Sequence, residues 1–281
     1  MIRAKKHLGQ HFLRDENIAR KIADLVPSGQ VVLEIGPGMG VLSKYLMQNS
    51  AIDPWFMEID HESVEYLKNR WPEWKERILS NDFLQFNLDE FPAPSGQIPL
   101  TSESVQSPPF VVIGNFPYNI SSQILFRAVE FRNRIPQVIG MFQKEVAERI
   151  AAPPGNKTYG ILSVLIQAWY KTEYLFTVSE TVFSPPPKVK SAVIRLTRNQ
   201  TERLECDETM FIRVVKTAFN QRRKTLRNAL RGIPGIEKIL PAPIFDKRAE
   251  QLSVEDFVRL AAEISTFAKI FKVDEAEENP R

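Results

Sequence analysis

Asn115-Phe-Pro-Tyr118 carries the densest chemistry in this chain of 281 residues. A carboxamide, two backbone carbonyls and an aromatic face lie within one turn's length. The exocyclic amine of adenine is a group that such a site would suit. It is a poor nucleophile, because its lone pair is delocalised into the ring. Two acceptors set on its N–H bonds would pyramidalise the nitrogen and localise that pair. The side-chain oxygen of Asn115 and the carbonyl of Phe116 or Pro117 have the chemistry to do this. Pro117 stiffens the turn, and Tyr118 offers a face to a base and to positive charge developing on it. No carboxylate lies between Gly114 and Ser122. Acceptors and positioning, rather than a strong general base, would therefore drive a transfer here.

Three further positions have the chemistry to hold a second ligand. Val31-Val-Leu-Glu-Ile-Gly-Pro-Gly-Met-Gly40 is an apolar run that breaks into glycines at alternate positions. Glycine lets backbone approach a ligand closely, and a following helix offers free N–H groups to an anion. Alone, this fits a tight turn of any parallel α/β protein as well as a ligand loop. Its spacing is not the dinucleotide pattern, because Val occupies position 41. Many S-adenosylmethionine (SAM) methyltransferases show this spacing. Glu58 follows Gly36 by about 20 positions, where a strand-end acid can accept from two ribose hydroxyls. Asp82 could accept from an adenine amino group.

The elements that must position these residues alternate. Strands are expected at Val31–Ile35, Trp55–Met57, Ile78–Leu79, Phe110–Ile113 and Val138–Phe142. Helices are expected from Val41, and over Glu62–Arg70, Ile120–Phe131 and Gln143–Ile150, with Asp15 capping an earlier one. That alternation implies an α/β fold, a Rossmann-like parallel sheet with helices on both faces. Pro92–Pro109 reads as a long surface loop. After Thr201 the pattern turns helical: Glu208–Leu230, Ile236–Leu240 and Val254–Phe271. A first domain over 1–199 and a small all-helical domain over 200–281 are expected. Asp274–Arg281 reads as a disordered acidic tail.

Composition narrows the class. Hydrophobic residues make up 43% and charged residues 25%, as in soluble globular proteins. The net charge of +3 is too small to prove a nucleic-acid partner. Its distribution says more: Arg213, Lys216, Arg222, Arg223, Lys224, Arg227 and Arg231 fall between Ile212 and Arg231 with no acid among them. One-signed charge with Phe219 and Leu226 inward favours a phosphate-binding surface over a merely solvated helix. Lys188 and Lys190 could continue it on one side, and Arg3, Lys5 and Lys6 on the other. A single cysteine, Cys206, excludes an intrachain disulfide. The three histidines lack metal-ligand spacing, so no metal site is expected. No signal peptide or membrane span is read, and a cytoplasmic monomer is expected.

The chain resembles the rRNA adenine dimethyltransferase family. The resemblance rests on Leu8-Gly-Gln-His-Phe-Leu13, Glu34-Ile-Gly-Pro-Gly38 and Gly114-Asn-Phe-Pro-Tyr-Asn-Ile-Ser121. It continues through Gln143-Lys-Glu-Val-Ala-Glu-Arg149, Phe183-Ser-Pro-Pro-Pro-Lys-Val189 and Phe219-Asn-Gln-Arg-Arg-Lys-Thr-Leu226, in order from about Lys5 to Leu260. It implies SAM as methyl donor, held by His11, Leu13, Gly36, Glu58, Asp82 and Asn115. His11 replaces a family Asn, so a backbone contact is what carries over there. The family's Asn-Leu-Pro-Tyr core is here Asn-Phe-Pro-Tyr. The resemblance further implies dimethylation at N6 of two adjacent adenosines near the 3′ end of small-subunit rRNA, with a role in ribosome biogenesis. Asn115, Pro117 and Tyr118 would serve catalysis, and Phe183 would stack on the flipped base from a rigid, exposed turn. Lys188, Arg222, Arg223, Lys224 and Arg227 would bind the RNA of a small-subunit precursor. A related enzyme acting on large-subunit rRNA, and a non-catalytic assembly factor, are the alternatives.

Overall fold

A computed structural model of the chain describes residues 4–91, 108–233, 236–237 and 239–277, with side chains described up to residue 267. It forms two compact units, Met1–Ala147 with Lys171–Arg198, and Glu148–Tyr170 with Asn199–Arg281.

In chain order the elements are β1 (Phe12–Leu13), α1 (Glu16–Ala23), β2 (Val31–Ile35), α2 (Ser43–Gln48), β3 (Asp53–Glu58), α3 (His61–Arg70), β4 (Ile78–Ser80), β5 (Phe110–Asn115), α4 (Ser121–Glu130), β6 (Gln137–Gln143), α5 (Lys144–Ala151), α6 (Ile161–Gln167), β7 (Tyr170–Val178), β8 (Phe183–Ser184), β9 (Ser191–Arg198), α7 (Glu208–Asn220), α8 (Leu226–Ala229) and α9 (Val254–Glu277). Seven strands form one sheet in the order β4-β3-β2-β5-β6-β9-β7. Strands β4, β3, β2, β5 and β6 run parallel, and β9 runs antiparallel to β6. The α/β Rossmann-like expectation is met. The strands β2 and β5 are apolar almost throughout and buried along nearly their whole length, as strands covered on both faces must be.

Register sets the site. Ile35 lies beside Met57, Glu34 beside Ile113, and Glu58 beside Ser80. The carboxyl ends of β2, β3, β4 and β5 therefore share one edge, where Gly36, Glu58, Asp82 and Asn115 emerge. Asp15 caps α1 by accepting from the N–H groups of Asn17 and Ile18 at 2.9 and 3.0 Å. Asp60 caps α3, accepting from Glu62 N–H at 3.3 Å.

Four expectations are corrected. The helix after the glycines begins at Ser43, not Val41, because Pro37–Leu42 folds into turns closed by a bond from Gly40 N–H to the Pro37 carbonyl. Residues Glu148–Tyr170 belong to the second unit rather than the first. The reason lies in their side chains: Tyr159 packs edge-on to Phe219 at 6.0 Å, and Trp169 edge-on to Phe211 at 6.0 Å. The helix expected over Glu208–Leu230 stops at Asn220 and resumes only as α8. Between them the backbone turns, so that Leu226 N–H can bond the Lys247 carbonyl at 2.8 Å and Thr225 can pair with Arg248. Finally, α9 continues through Asp274–Glu277, part of the expected disordered tail. Most of the Pro92–Pro109 loop, and residues 278–281, lie outside the described residues.

Candidate active site

A cleft opens at the strand-end edge of the first unit. It encloses about 930 Å³ of non-atom space, its open mouth included, and Gly36, Glu58, Asp82, Asn115, Pro117 and Tyr118 are among its walls. His11 lines it too. Seven of the expected residues thus converge.

Asn115 ends β5, and its carboxamide nitrogen donates to the His11 carbonyl at 2.9 Å. A carbonyl can only accept, so this bond fixes the amide's orientation and turns Oδ1 the other way. The Pro117 carbonyl already accepts from Ile120 N–H at 3.2 Å. Among the described residues nothing donates to the Phe116 carbonyl, which leaves it as the second acceptor. The Phe116 ring is buried against Phe142 at 5.1 Å and anchors the turn. Tyr118 shares a hydrogen bond with Ser191 Oγ at 2.5 Å, and burial pushes its phenol pKa up. It stays neutral at physiological pH and offers a face, not a base. The His11 ring stands 5.4 Å from it, tilted by 30°. The Nδ1 of His11 lies 2.8 Å from the Pro185 carbonyl, so that nitrogen carries the proton.

The glycine turn and Glu58 form one unit. Gly36, Gly38 and Gly40 all have positive φ, at 67°, 56° and 75°. Gly38 N–H donates to Glu58 Oε2 at 3.0 Å, and Asp60 N–H donates to Oε1 at 2.9 Å. Each carboxylate oxygen keeps one lone pair for a ligand hydroxyl. A Cβ on Gly38 would come within 2.9 Å of the Phe12 ring, whereas one on Gly36 would meet only Pro117 Cδ at 3.9 Å. Gly36 therefore faces open space in the cleft. Burial raises the Glu58 pKa, against the pull of the backbone N–H groups of Asp60, Gly38 and Ile59. Asp82 Oδ1 accepts from Leu84 N–H at 2.9 Å, which leaves Oδ2 for a ligand.

Two expected residues stand elsewhere. Phe183 is 3% exposed and does not line the cleft. It sits on β8 opposite Leu13, and both belong to the apolar core of the first unit. The expectation of an exposed stacking ring is overturned, because pairing of β1 with β8 turns that side chain inward. Leu13, 4% exposed, lines a small cavity behind the glycine turn, not the cleft.

Other residues at the site were not expected. Ile59 is 54% exposed on the wall between Glu58 and Asp60, an apolar platform beside the acid. Asp60 takes Lys5 Nζ at 2.6 Å and Ser63 Oγ at 3.0 Å. Burial works to raise its pKa, but Lys5, Ser63 and Gln10 outweigh it and hold the carboxyl below its ordinary value. This clamp ties the segment that carries His11 to the end of β3. Glu34, on β2, is buried, and burial pushes its pKa up to about 8. Only the pairing of partners distant in sequence reveals the clamp, but the Glu34 charge inside an apolar strand was visible in the sequence.

The basic residues divide. Lys188, Arg223 and Lys224 are exposed. Arg227 is tied to Asp246 Oδ1 at 2.7 Å and to the Leu240 carbonyl, and Arg222 pairs with Glu250 at 3.8 Å. Lys5 is committed to Asp60, and Arg3 lies outside the described residues.

A model of the family described as "Ribosomal RNA adenine dimethylase" matches residues 1–266. A Flavobacterium johnsoniae protein named "Ribosomal RNA small subunit methyltransferase A" is 56% identical, covering 94% of this chain and 96% of its own. A Cytophaga hutchinsonii protein of the same name is 54% identical, covering 94% and 98%. Among solved structures, a dimethyladenosine transferase from Plasmodium falciparum aligns with a TM-score of 0.72 at 24% identity, covering 91% of this chain and 98% of that one. The 23S rRNA methyltransferase ErmE aligns with a TM-score of 0.61 at 25% identity, covering 89% and 99%.

Proposed function

The chain belongs to the ribosomal RNA adenine dimethylase family, and from that premise we propose that it dimethylates N6 of two adjacent adenosines near the 3′ end of small-subunit rRNA. The donor is SAM, which when bound supplies a sulfonium methyl group. The cleft fits that donor: Glu58 has a free lone pair on each oxygen for ribose hydroxyls, Asp82 Oδ2 is open to an adenine amine, and Gly36 leaves room for the amino-acid end.

The observation that carries the reading is the Asn115–His11 bond. It presents Asn115 Oδ1, with the Phe116 carbonyl, as a fixed pair of acceptors for the two N–H bonds of an adenine amine. With SAM bound, the nitrogen's localised lone pair would displace the methyl group from sulfur, which would keep the bonding pair, and the N6 proton would leave to solvent. Tyr118 holds the base by its face. Because the target atom lies inside a stack or helix, the base must be turned out to reach this site.

RNA is held by exposed cations, with Lys188, Arg223 and Lys224 foremost. Arg222 and Arg227 add charge while holding structure. The protein works as a monomer in the cytoplasm, on a precursor of the small ribosomal subunit. Among the described residues, no helix is long and apolar enough to cross a membrane. Large-subunit rRNA is the second reading, favoured only by the likeness to a 23S enzyme at 25% identity. Relatives at 54–56% carry the small subunit in their names. Incubation with labelled SAM, then mapping by mass spectrometry, separates the two. Undermethylated small-subunit particles should gain two adjacent dimethyladenosines, and free large-subunit rRNA none. The reverse pattern would overturn the assignment.

A further inference from the structure

The basic turn of the second unit has a neighbour that comes from a distant part of the chain. Pro153–Thr158 is a loop exposed from Pro153 to Lys157, with one cation, Lys157. Two bonds seat it beside the turn. Gly155 N–H donates to the Glu250 carbonyl at 2.7 Å, and Arg222 Nη2 donates to the Asn156 carbonyl at 3.5 Å. The same Arg222 pairs through Nε with the Glu250 carboxylate at 3.8 Å. Arg222 thus bridges the loop and Glu250, with whose carboxylate it pairs.

The loop has internal order as well. Asn156 Oδ1 accepts from both the N–H and the hydroxyl of Thr158 at 2.9 Å, an Asx turn with Lys157 at its centre. Tyr159 follows, fully buried, and fixes the loop's exit. Lys157 and Arg223 each lie one residue, about 3.8 Å along the backbone, from the bonded pair Asn156 and Arg222. Among the described residues, Lys157, Arg223 and Lys224 are in no ion pair, and all three are exposed.

We infer that Lys157 is a phosphate contact of the same RNA-docking surface as Arg223 and Lys224, and that Arg222 is the positioning residue that joins the two segments. The inference rests on the RNA-binding reading of the basic turn. A lysine carried on an ordered turn, one residue from a segment bonded to the basic turn, suits the repeated phosphates of a polyanion better than a point ligand. The partner is an RNA backbone, read without regard to base.

The test is the salt dependence of binding to undermethylated small-subunit particles, for wild type, Lys157→Ala, Lys157→Arg and Arg223→Ala/Lys224→Ala. Lys157→Ala should lower the slope of log affinity against log salt by about 1, and Lys157→Arg should restore it. Thermal unfolding and SAM affinity should match wild type for both Lys157 variants. If the double variant lowers the slope and Lys157→Ala leaves it unchanged, this inference fails while the RNA reading of the turn stands. If neither changes the slope, the RNA reading itself is wrong. An acidic protein as the true partner would show as Lys157→Ala losing affinity for that protein and none for the RNA.

Discussion

The strand-end cleft and the basic turn are built by opposite means. In the cleft three polar groups are half spent before a ligand arrives. Glu58 already holds two backbone N–H groups, Asn115 holds the His11 carbonyl, and Tyr118 holds Ser191. What remains free is one lone pair here and one carbonyl there, aimed by the sheet. The surface of the second unit leaves Arg223, Lys224 and Lys157 exposed and, among the described residues, in no ion pair, and spends Arg222 and Arg227 on its own backbone and acids. Desolvation governs the first region and raises pKa values there. The difference teaches what each can recognise. Preorganised, desolvated acceptors select one nitrogen and one cofactor, and solvated cations select only a polyanion.

Substitutions that break this contrast should fall in a definite order. On the proposed mechanism, Asn115→Ala removes an acceptor from the reacting nitrogen. Single-turnover methylation should slow by about 10²–10³-fold, the cost of losing one transition-state hydrogen-bonding group. The RNA salt slope should not move. Undiminished turnover would remove Asn115 from the chemistry. Neutralising Arg223 and Lys224 together should do the converse. The salt slope for particle binding should fall by about 2, with SAM affinity unchanged in calorimetric titration. A fall in SAM affinity would show that the two regions are not separable.

The smallest effect sharpens the desolvation side. Glu34 has its folded pKa raised from 4.5 to about 8. For an acid raised in this way, the folded state keeps a proton that the unfolded chain releases. Stability is therefore present at low pH and is lost as pH rises from the unfolded value toward the folded one. The loss from this residue approaches about 1.4 kcal/mol per pH unit at most. Glu34→Gln should remove that component, so denaturant unfolding between pH 5 and 8 should be flatter in the variant than in wild type. Parallel curves would mean that Glu34 is ionised in the fold.

Much of the cleft was legible in the sequence for physical reasons. A buried parallel strand must be apolar, and a turn with positive φ calls for glycine, so Val31–Gly40 announced itself. Asn115-Phe-Pro-Tyr118 stood out because proline after a buried run stops a strand. Other parts were hidden. Phe183 looked exposed beside three prolines, because nothing local records that β8 pairs with β1. The break at Gln221–Thr225 was invisible, since arginine and lysine suit a helix as well as a turn. Strand β7 alternates weakly and is half exposed, and a bidentate ion pair from Arg195 to Glu173 at 2.9 and 3.2 Å helps hold it to β9. The Lys5–Asp60 clamp joins residues too far apart in sequence for any spacing rule to connect them.

The central claim is that donor and RNA are held by separate regions, and Gly36→Val tests it most directly. The new side chain would project into the cleft from a backbone with φ of 67°, with only Pro117 near its Cβ. Titrating one preparation of the variant with SAM and with undermethylated small-subunit particles gives both affinities. The account predicts that SAM binding disappears while particle affinity and its salt slope stay at the wild-type value. Equal loss of both, in a variant whose thermal unfolding remains cooperative, would contradict it.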